Sequence, residues 1–113
     1  MFVPWVFPKE QIVPTFVKVA DVGDVAPGNV KPVKVNGKTI ALCNVGGTFY
    51  ALGDECVHRG GPLSEGYIEG GNLECPWHAW PYDVKTGAVI MNPSAKVPTY
   101  EVKVEGSDVL VAV

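Results

Sequence analysis

Short runs of strand-forming residues recur along the chain, with glycine or proline between one run and the next, and apolar and polar residues alternate in some of them. These segments lie at residues 16–20, 31–35, 38–45, 48–52, 97–104 and 108–113. A repeat of two is the period of a β-strand with one buried face. No window of a dozen residues has apolar positions at helical spacing without an interrupting glycine or proline. The pattern therefore predicts an all-β protein.

Tight turns are indicated between three pairs of these segments. Asn36-Gly37 lies between the second and third segments, Gly46-Gly47 between the third and fourth, and residues 105–108 between the last two. Asparagine and glycine tolerate the positive φ angles that a two-residue hairpin turn requires. Successive hairpins predict a small antiparallel β-sandwich or barrel.

The segment at 38–45 contains the first of the three cysteines of the chain. Alternation places Cys43 on the same face as Thr39, Ala41 and Val45. A free cysteine in such a position behaves as a small apolar residue. We therefore predict that Cys43 is buried and has no redox role.

Composition and charge narrow the class of protein. The 113 residues suffice for one domain, and 47% of them are apolar and 19% charged, as in an ordinary globular protein. The net charge is −3 and the basic residues do not cluster, which argues against a nucleic acid or an anionic membrane as partner. Three cysteines, an odd number, do not suit a secreted disulfide framework.

The first 14 residues are apolar but do not resemble a targeting signal. They have no basic start and are broken by Pro4, Pro8 and Pro14. No run approaches the ~20 apolar residues that a membrane helix requires. We expect residues 1–14 to form an N-terminal arm, residues 15–113 to form the domain, and the protein to be cytoplasmic.

Both histidines of the chain fall in one window, "CVHRGGPLSEGYIEGGNLECPWHAWPYD" at residues 56–83. His58 follows Cys56 after one residue, and His78 follows Cys75 after two, with sixteen residues between the pairs. Thiolates and imidazoles are ligands for zinc or for iron–sulfur centres. One intervening residue is tight for a single tetrahedral zinc and suits two ligands bound to different metal ions. A structural zinc site and two unrelated Cys/His pairs remain as alternatives.

The residues around these pairs predict a distinct lobe, at about 54–84. Its strand patterns are weak and it is rich in glycine. We expect that side chains alone cannot fill its core and that a bound metal group holds it together.

The spacing C-x-H-x16-C-x2-H, with "HRGGPLSEG" and "CPWHAWPYDVKTG", resembles the Rieske family over nearly the whole chain after the arm. The resemblance implies one [2Fe–2S] cluster, with Cys56 and Cys75 on one iron and His58 and His78 on the other. Two neutral histidines in place of two cysteines make such a cluster less negative. Its potential therefore lies at roughly −150 to +300 mV, against about −400 mV for plant-type ferredoxins.

Departures from the high-potential members of the family indicate which type this chain resembles. Gly61 and Trp77 stand where those members have two further cysteines joined by a disulfide, and Trp80 stands where they have a serine. Tyr82 matches the family tyrosine whose hydroxyl reaches a cysteine sulfur. The chain is similar to the soluble, low-potential Rieske ferredoxins of ring-hydroxylating oxygenases.

This resemblance implies an electron carrier and not an enzyme. Its partners would be a flavin-dependent ferredoxin reductase and a terminal oxygenase, with transient docking to each. The alternative within the same fold is a small subunit of a larger oxidoreductase such as nitrite reductase.

Five residues near the ligands have expected roles of their own. Gly60 and Gly61 are expected to let backbone amides point at sulfur. Trp77 is expected to act as a lid or to pack inside, whereas Trp80 and Leu63 are expected on a docking surface.

Overall fold

The computed structural model describes residues 15–57, 60–77 and 80–112. The predicted N-terminal arm, His58 and His78 lie outside the described residues. The described chain forms twelve strands and two 3₁₀ turns, Val22–Asp24 and Leu63–Glu65. The strands are β1 (Phe16–Asp21), β2 (Val30–Val35), β3 (Lys38–Val45), β4 (Thr48–Gly53), β5 (Tyr67–Glu69), β6 (Asn72–Glu74), β7 (Pro81–Asp83), β8 (Ala88–Val89), β9 (Asn92–Lys96), β10 (Thr99–Tyr100), β11 (Val102–Glu105) and β12 (Asp108–Ala112).

The strands form three sheets, and every ladder is antiparallel. The orders are β1-β12-β11, β10-β4-β3-β2 and β5-β6-β7-β8-β9. The predicted all-β antiparallel class is therefore confirmed. No helix in the described part of the chain has the length and apolar character needed to cross a membrane.

The predicted hairpin turns lie where the sequence places them. Asn36 and Gly37 join β2 to β3 with φ angles of 51° and 80°. Gly46 and Gly47 join β3 to β4 with φ angles of 61° and 98°. Both central residues of each turn thus have the positive φ of a two-residue hairpin. The third turn joins β11 to β12 through Gly106, at φ 63°.

The sheet β10-β4-β3-β2 has a hydrophobic core on each face. On β3, Ile40 and Leu42 point to one core, with Val109 and Val111 of β12. The alternate residues Ala41 and Cys43 point to the other core, which contains the side chains of the β5–β9 sheet. Since β3 is buried on both faces, alternation along it separates two cores instead of separating core from solvent.

The segment at 97–104 differs from its prediction as one strand. Tyr100 of β10 pairs with Ala51 of β4, whereas Val102 of β11 pairs with Val111 of β12. Glu101 lies between the two strands, and its carbonyl accepts a hydrogen bond from the Ala112 N–H. Alternation continues through the segment, so the change of sheet leaves no mark in the pattern.

The β5–β9 sheet gives the lobe more buried apolar side chains than its weak strand patterns indicated. Leu73, Tyr82 and Val89 are completely buried there, and they pack against Ala41 and Cys43 of β3. The strands have only two to five residues each, which explains why their patterns are weak. β3 forms the opposite side of this core, and the prediction that a bound metal group holds the lobe together stays a prediction. The boundaries of the lobe and of the arm stay predictions.

Candidate metal centre

The second and third cysteines lie on two loops that are closed in the same way. Cys56 is on the loop after β4, which we call the first cysteine loop (54–62), and Cys75 is on the second cysteine loop (75–80), between β6 and β7. The Cys56 N–H donates to the Gly61 carbonyl at 2.8 Å, and the Cys75 N–H donates to the Trp80 carbonyl at 3.0 Å. The backbone N–H of each cysteine thus forms a hydrogen bond to the carbonyl of the residue five positions later, and this bond closes each loop.

Both thiols are withdrawn from solvent. Cys56 is 3% exposed and Cys75 is 1% exposed, and both belong to the core beneath the β5–β9 sheet. His58 and His78 lie outside the described residues. The set of four ligands therefore stays a prediction, with the structure describing its two cysteines.

Tyr82 connects the first cysteine loop to the core of the lobe. Its hydroxyl accepts a hydrogen bond from the Val57 N–H at 3.0 Å and lies 3.1 Å from the Cys56 sulfur. Burial, and then the hydrogen bond with Cys56, raise the pKa of Tyr82 above its usual value. The hydroxyl therefore stays protonated at neutral pH and can donate to an ionised sulfur, which only accepts.

These residues fit an iron–sulfur group. Two buried sulfur donors come from separate closed loops in one core, and thiolate is the ligand such centres require. The Tyr82 hydroxyl adds a hydrogen bond to one sulfur, the kind of outer contact that tunes a metal centre. Cys43 also contributes to this core and is fully buried, as predicted. Burial raises the pKa of Cys43 to about 12, so its thiol is neutral.

The two glycines of the first cysteine loop have structural roles of their own, and their predicted role in directing backbone amides at sulfur stays a prediction. The Gly60 N–H donates to the Cys56 carbonyl at 2.7 Å, not to a sulfur. Gly60 has a φ of +73°, so the turn itself requires glycine there. At Gly61, by contrast, an added Cβ would lie 2.8 Å from Cδ2 of Trp77. Gly61 therefore allows a close contact between the two cysteine loops.

The docking role predicted for Leu63 is wrong, and so is internal packing of Trp77, whereas a role of Trp77 as a lid stays a prediction. Trp77 is 55% exposed, whereas Leu63 is completely buried. Leu63 starts a 3₁₀ turn that Asp54 holds: the Asp54 carbonyl accepts from the Leu63 N–H, and its carboxylate accepts from the Ser64 N–H, both at 2.7 Å. This anchoring directs Leu63 into the core. Trp80 is half-buried and packs against the core, so it is not a fully exposed docking residue.

The role of Asp54 was not predicted from the sequence. The residues that it holds are nine and ten positions further along the chain, beyond the range of the usual capping patterns. No local sequence signal would have revealed it.

A family model described as the Rieske [2Fe–2S] domain matches residues 15–101. The chain belongs to this family. The predicted cofactor, one Rieske-type [2Fe–2S] cluster, is confirmed by that membership.

Relatives of this Rieske protein are named as parts of oxygenase systems. The ferredoxin component of the naphthalene 1,2-dioxygenase/salicylate 5-hydroxylase systems of Ralstonia sp. is 41% identical over 96 residues, covering 84% of this chain and 92% of the relative. The biphenyl 2,3-dioxygenase ferredoxin component of Rhodococcus jostii RHA1 is 43% identical over 96 residues, covering 83% and 89%.

A solved structure gives the same fold. It is described as a complex of reduced oxygenase and oxidised ferredoxin in carbazole 1,9a-dioxygenase. Its matching chain has a TM-score of 0.78 and 35% identity, with 86% of this chain and 92% of that chain covered.

Proposed function

We propose that this Rieske protein carries single electrons from a flavin-dependent ferredoxin reductase to a terminal ring-hydroxylating oxygenase, and transforms no substrate itself. The observation that carries the proposal is the pair of buried cysteines on matching closed loops. Relatives named as ferredoxin components, at 41% and 43% identity, support the oxygenase side of the proposal. The reductase is proposed because an electron carrier needs a donor.

Each residue of the centre has a proposed role. Cys56, Cys75, His58 and His78 would hold the cofactor. When bound, a Rieske-type [2Fe–2S] cluster takes up and releases one electron. The core around the two cysteines excludes water, and Tyr82 holds a proton at its hydroxyl that can be directed at the Cys56 sulfur.

Two exposed apolar side chains lie beside the cysteines in the described part of the chain. Val57 is 43% exposed and Trp77 is 55% exposed, and each lies within two residues of a cysteine. A carrier must release one partner before it meets the next, so we propose weak contacts of below about 1,200 Å². We also propose a cytoplasmic location, an N-terminal arm at 1–14 and a cluster lobe at about 54–84.

Metal analysis and spectroscopy test the cofactor. We expect two irons and two labile sulfides per chain, in keeping with the [2Fe–2S] family, and a Rieske-type EPR signal with a low average g after reduction by dithionite. Cys56→Ala and Cys75→Ala should abolish the signal, whereas the matched variant Cys43→Ala should keep it. One zinc per chain and no visible absorption would refute the proposal in favour of a structural zinc module.

Electron transfer tests the partners. The reduced protein is mixed without oxygen with the oxidised oxygenase of a biphenyl dioxygenase system, and both absorption spectra are followed. Rapid oxidation of the carrier is the expected result. Purification as a tight complex with a large siroheme or flavin subunit would instead favour the small-subunit alternative.

A further inference from the structure

The glycine at position 61 is not required by its own backbone. Gly60 has a φ of +73°, but Gly61 is not among the residues with positive φ. A Cβ built on Gly61 would lie 2.8, 3.0 and 3.2 Å from Cδ2, Cε3 and Cγ of Trp77. The indole ring of Trp77 therefore lies directly on the Gly61 backbone, in the space that any side chain would occupy.

A second glycine has the same kind of contact. Gly66 has an ordinary φ of −81°, and a Cβ on it would overlap the carbonyl oxygen of Glu74. Glu74 immediately precedes Cys75, and Gly66 follows the 3₁₀ turn that comes directly after the first cysteine loop. The chain segments that carry the two cysteines thus approach each other twice, each time where one segment has no side chain.

The Trp77 contact is directly connected to both cysteines. Gly61 accepts the hydrogen bond that the Cys56 N–H donates, and Trp77 lies two residues after Cys75. A shift of the ring relative to Gly61 would therefore change the separation of the two cysteine loops. Gly66 cannot replace this restraint, because it contacts the segment before Cys75 and not the loop after it.

We propose that Trp77 is a positioning residue whose indole, seated on Gly61, holds the two cysteine loops together and slows the loss of iron from the protein. The inference rests on the proposed function only in that the cysteines hold a cluster. The role differs from that of a docking residue, because it acts within one chain and needs no partner.

The contact between Trp77 and Gly61 can be tested by changing the sizes of the two side chains separately and together. Trp77→Ala, Gly61→Ala and the double variant are purified with cofactor, and the decay of visible absorption is timed in excess chelator. Trp77→Ala should lose iron about tenfold faster, in line with coupling between contacting residues. Gly61→Ala should also lose iron faster, because its methyl group displaces the ring. In the Trp77→Ala background the same methyl group should have no such effect, or slow the loss.

Two further variants separate positioning from a general loss of stability. Gly23→Ala is the matched control, since a Cβ there meets nothing within 4 Å, and it should match the wild type. Trp77→Phe retains a ring on Gly61 and should recover most of the retention. The EPR g values of Trp77→Ala should shift, because the spacing of the loops changes.

Additive effects of Gly61→Ala and Trp77→Ala would overturn the inference. So would wild-type retention in Trp77→Ala, or a Phe variant that loses iron as fast as Ala. In those cases the wild type still contains iron and sulfide, so the proposed function stands. A wild type without iron would refute the proposed function as well.

Discussion

Replacing Tyr82 with phenylalanine should make the protein harder to reduce. The side chain is completely buried, so removal of its hydroxyl leaves the ring packed in the core. The hydroxyl lies 3.1 Å from the Cys56 sulfur and accepts the Val57 N–H at 3.0 Å. The variant therefore loses one donor to sulfur and one acceptor for an amide, with little change in shape.

The size of the effect follows from the change in that hydrogen bond on reduction. Hydrogen bonds to charged groups contribute about 1.5–3 kcal/mol, but the sulfur accepts in both oxidation states. Only the strengthening of this hydrogen bond by the added negative charge changes the reduction potential, and we take this difference as about 1 kcal/mol. For one electron, about 1.4 kcal/mol corresponds to 59 mV. The potential of Tyr82→Phe should therefore be about 40 mV lower than that of the wild type.

Protein-film voltammetry or an EPR-monitored redox titration measures this shift. Tyr50→Phe is the matched control, because Tyr50 packs against the same core but lies on β4 opposite Cys43. Its potential should equal that of the wild type. An unchanged or higher potential in Tyr82→Phe, with an intact cofactor spectrum, would show that the hydroxyl does not donate to the sulfur.

Three other substitutions test the core. Burial raises the pKa of Cys43 from 9.0 to about 12, so the folded state favours the neutral thiol. The resulting contribution to the free energy of unfolding is present below about pH 9 and is lost as the pH rises towards 12. In urea titrations above pH 9, wild-type stability should fall more steeply than that of Cys43→Ala, by up to ~1.4 kcal/mol per pH unit; parallel curves would contradict this. Leu63→Ala should lower the free energy of unfolding by about 2–5 kcal/mol. The control Val104→Ala, at an exposed position, should lower it by less than ~0.5 kcal/mol. Asn44→Ala should cost about 2–3 kcal/mol, because its buried amide donates to the Val25 carbonyl at 2.7 Å and accepts from the Gly47 N–H at 2.8 Å; a loss under ~0.5 kcal/mol in denaturant would refute that role.

The sequence contains the information for features that depend on local chemistry. Strand-forming runs are recognised by their residue types, and a two-residue hairpin needs positive φ, so β2, β3 and β4 and their turns could be predicted from residues near one another. The metal motif is local in the same sense, because Cys56 and Cys75 are recognised by residue type and spacing. Burial of Cys43 was also predicted correctly, although β3 is buried on both faces and alternation decides only which core the side chain enters.

Only the tertiary structure decided features that depend on distant neighbours. The segment at 97–104 reads as one strand, but its two halves pair with β4 and β12 because those partners lie in different sheets. Leu63 and Trp77 are both apolar and close to a cysteine, yet one is buried and the other is exposed. The burial of each side chain depends on what the fold places beside it. Leu63 meets the core, whereas one face of the Trp77 ring meets the backbone of Gly61. Alternation and spacing specify the direction of a side chain, but the surface that it meets comes from a part of the chain far away in sequence.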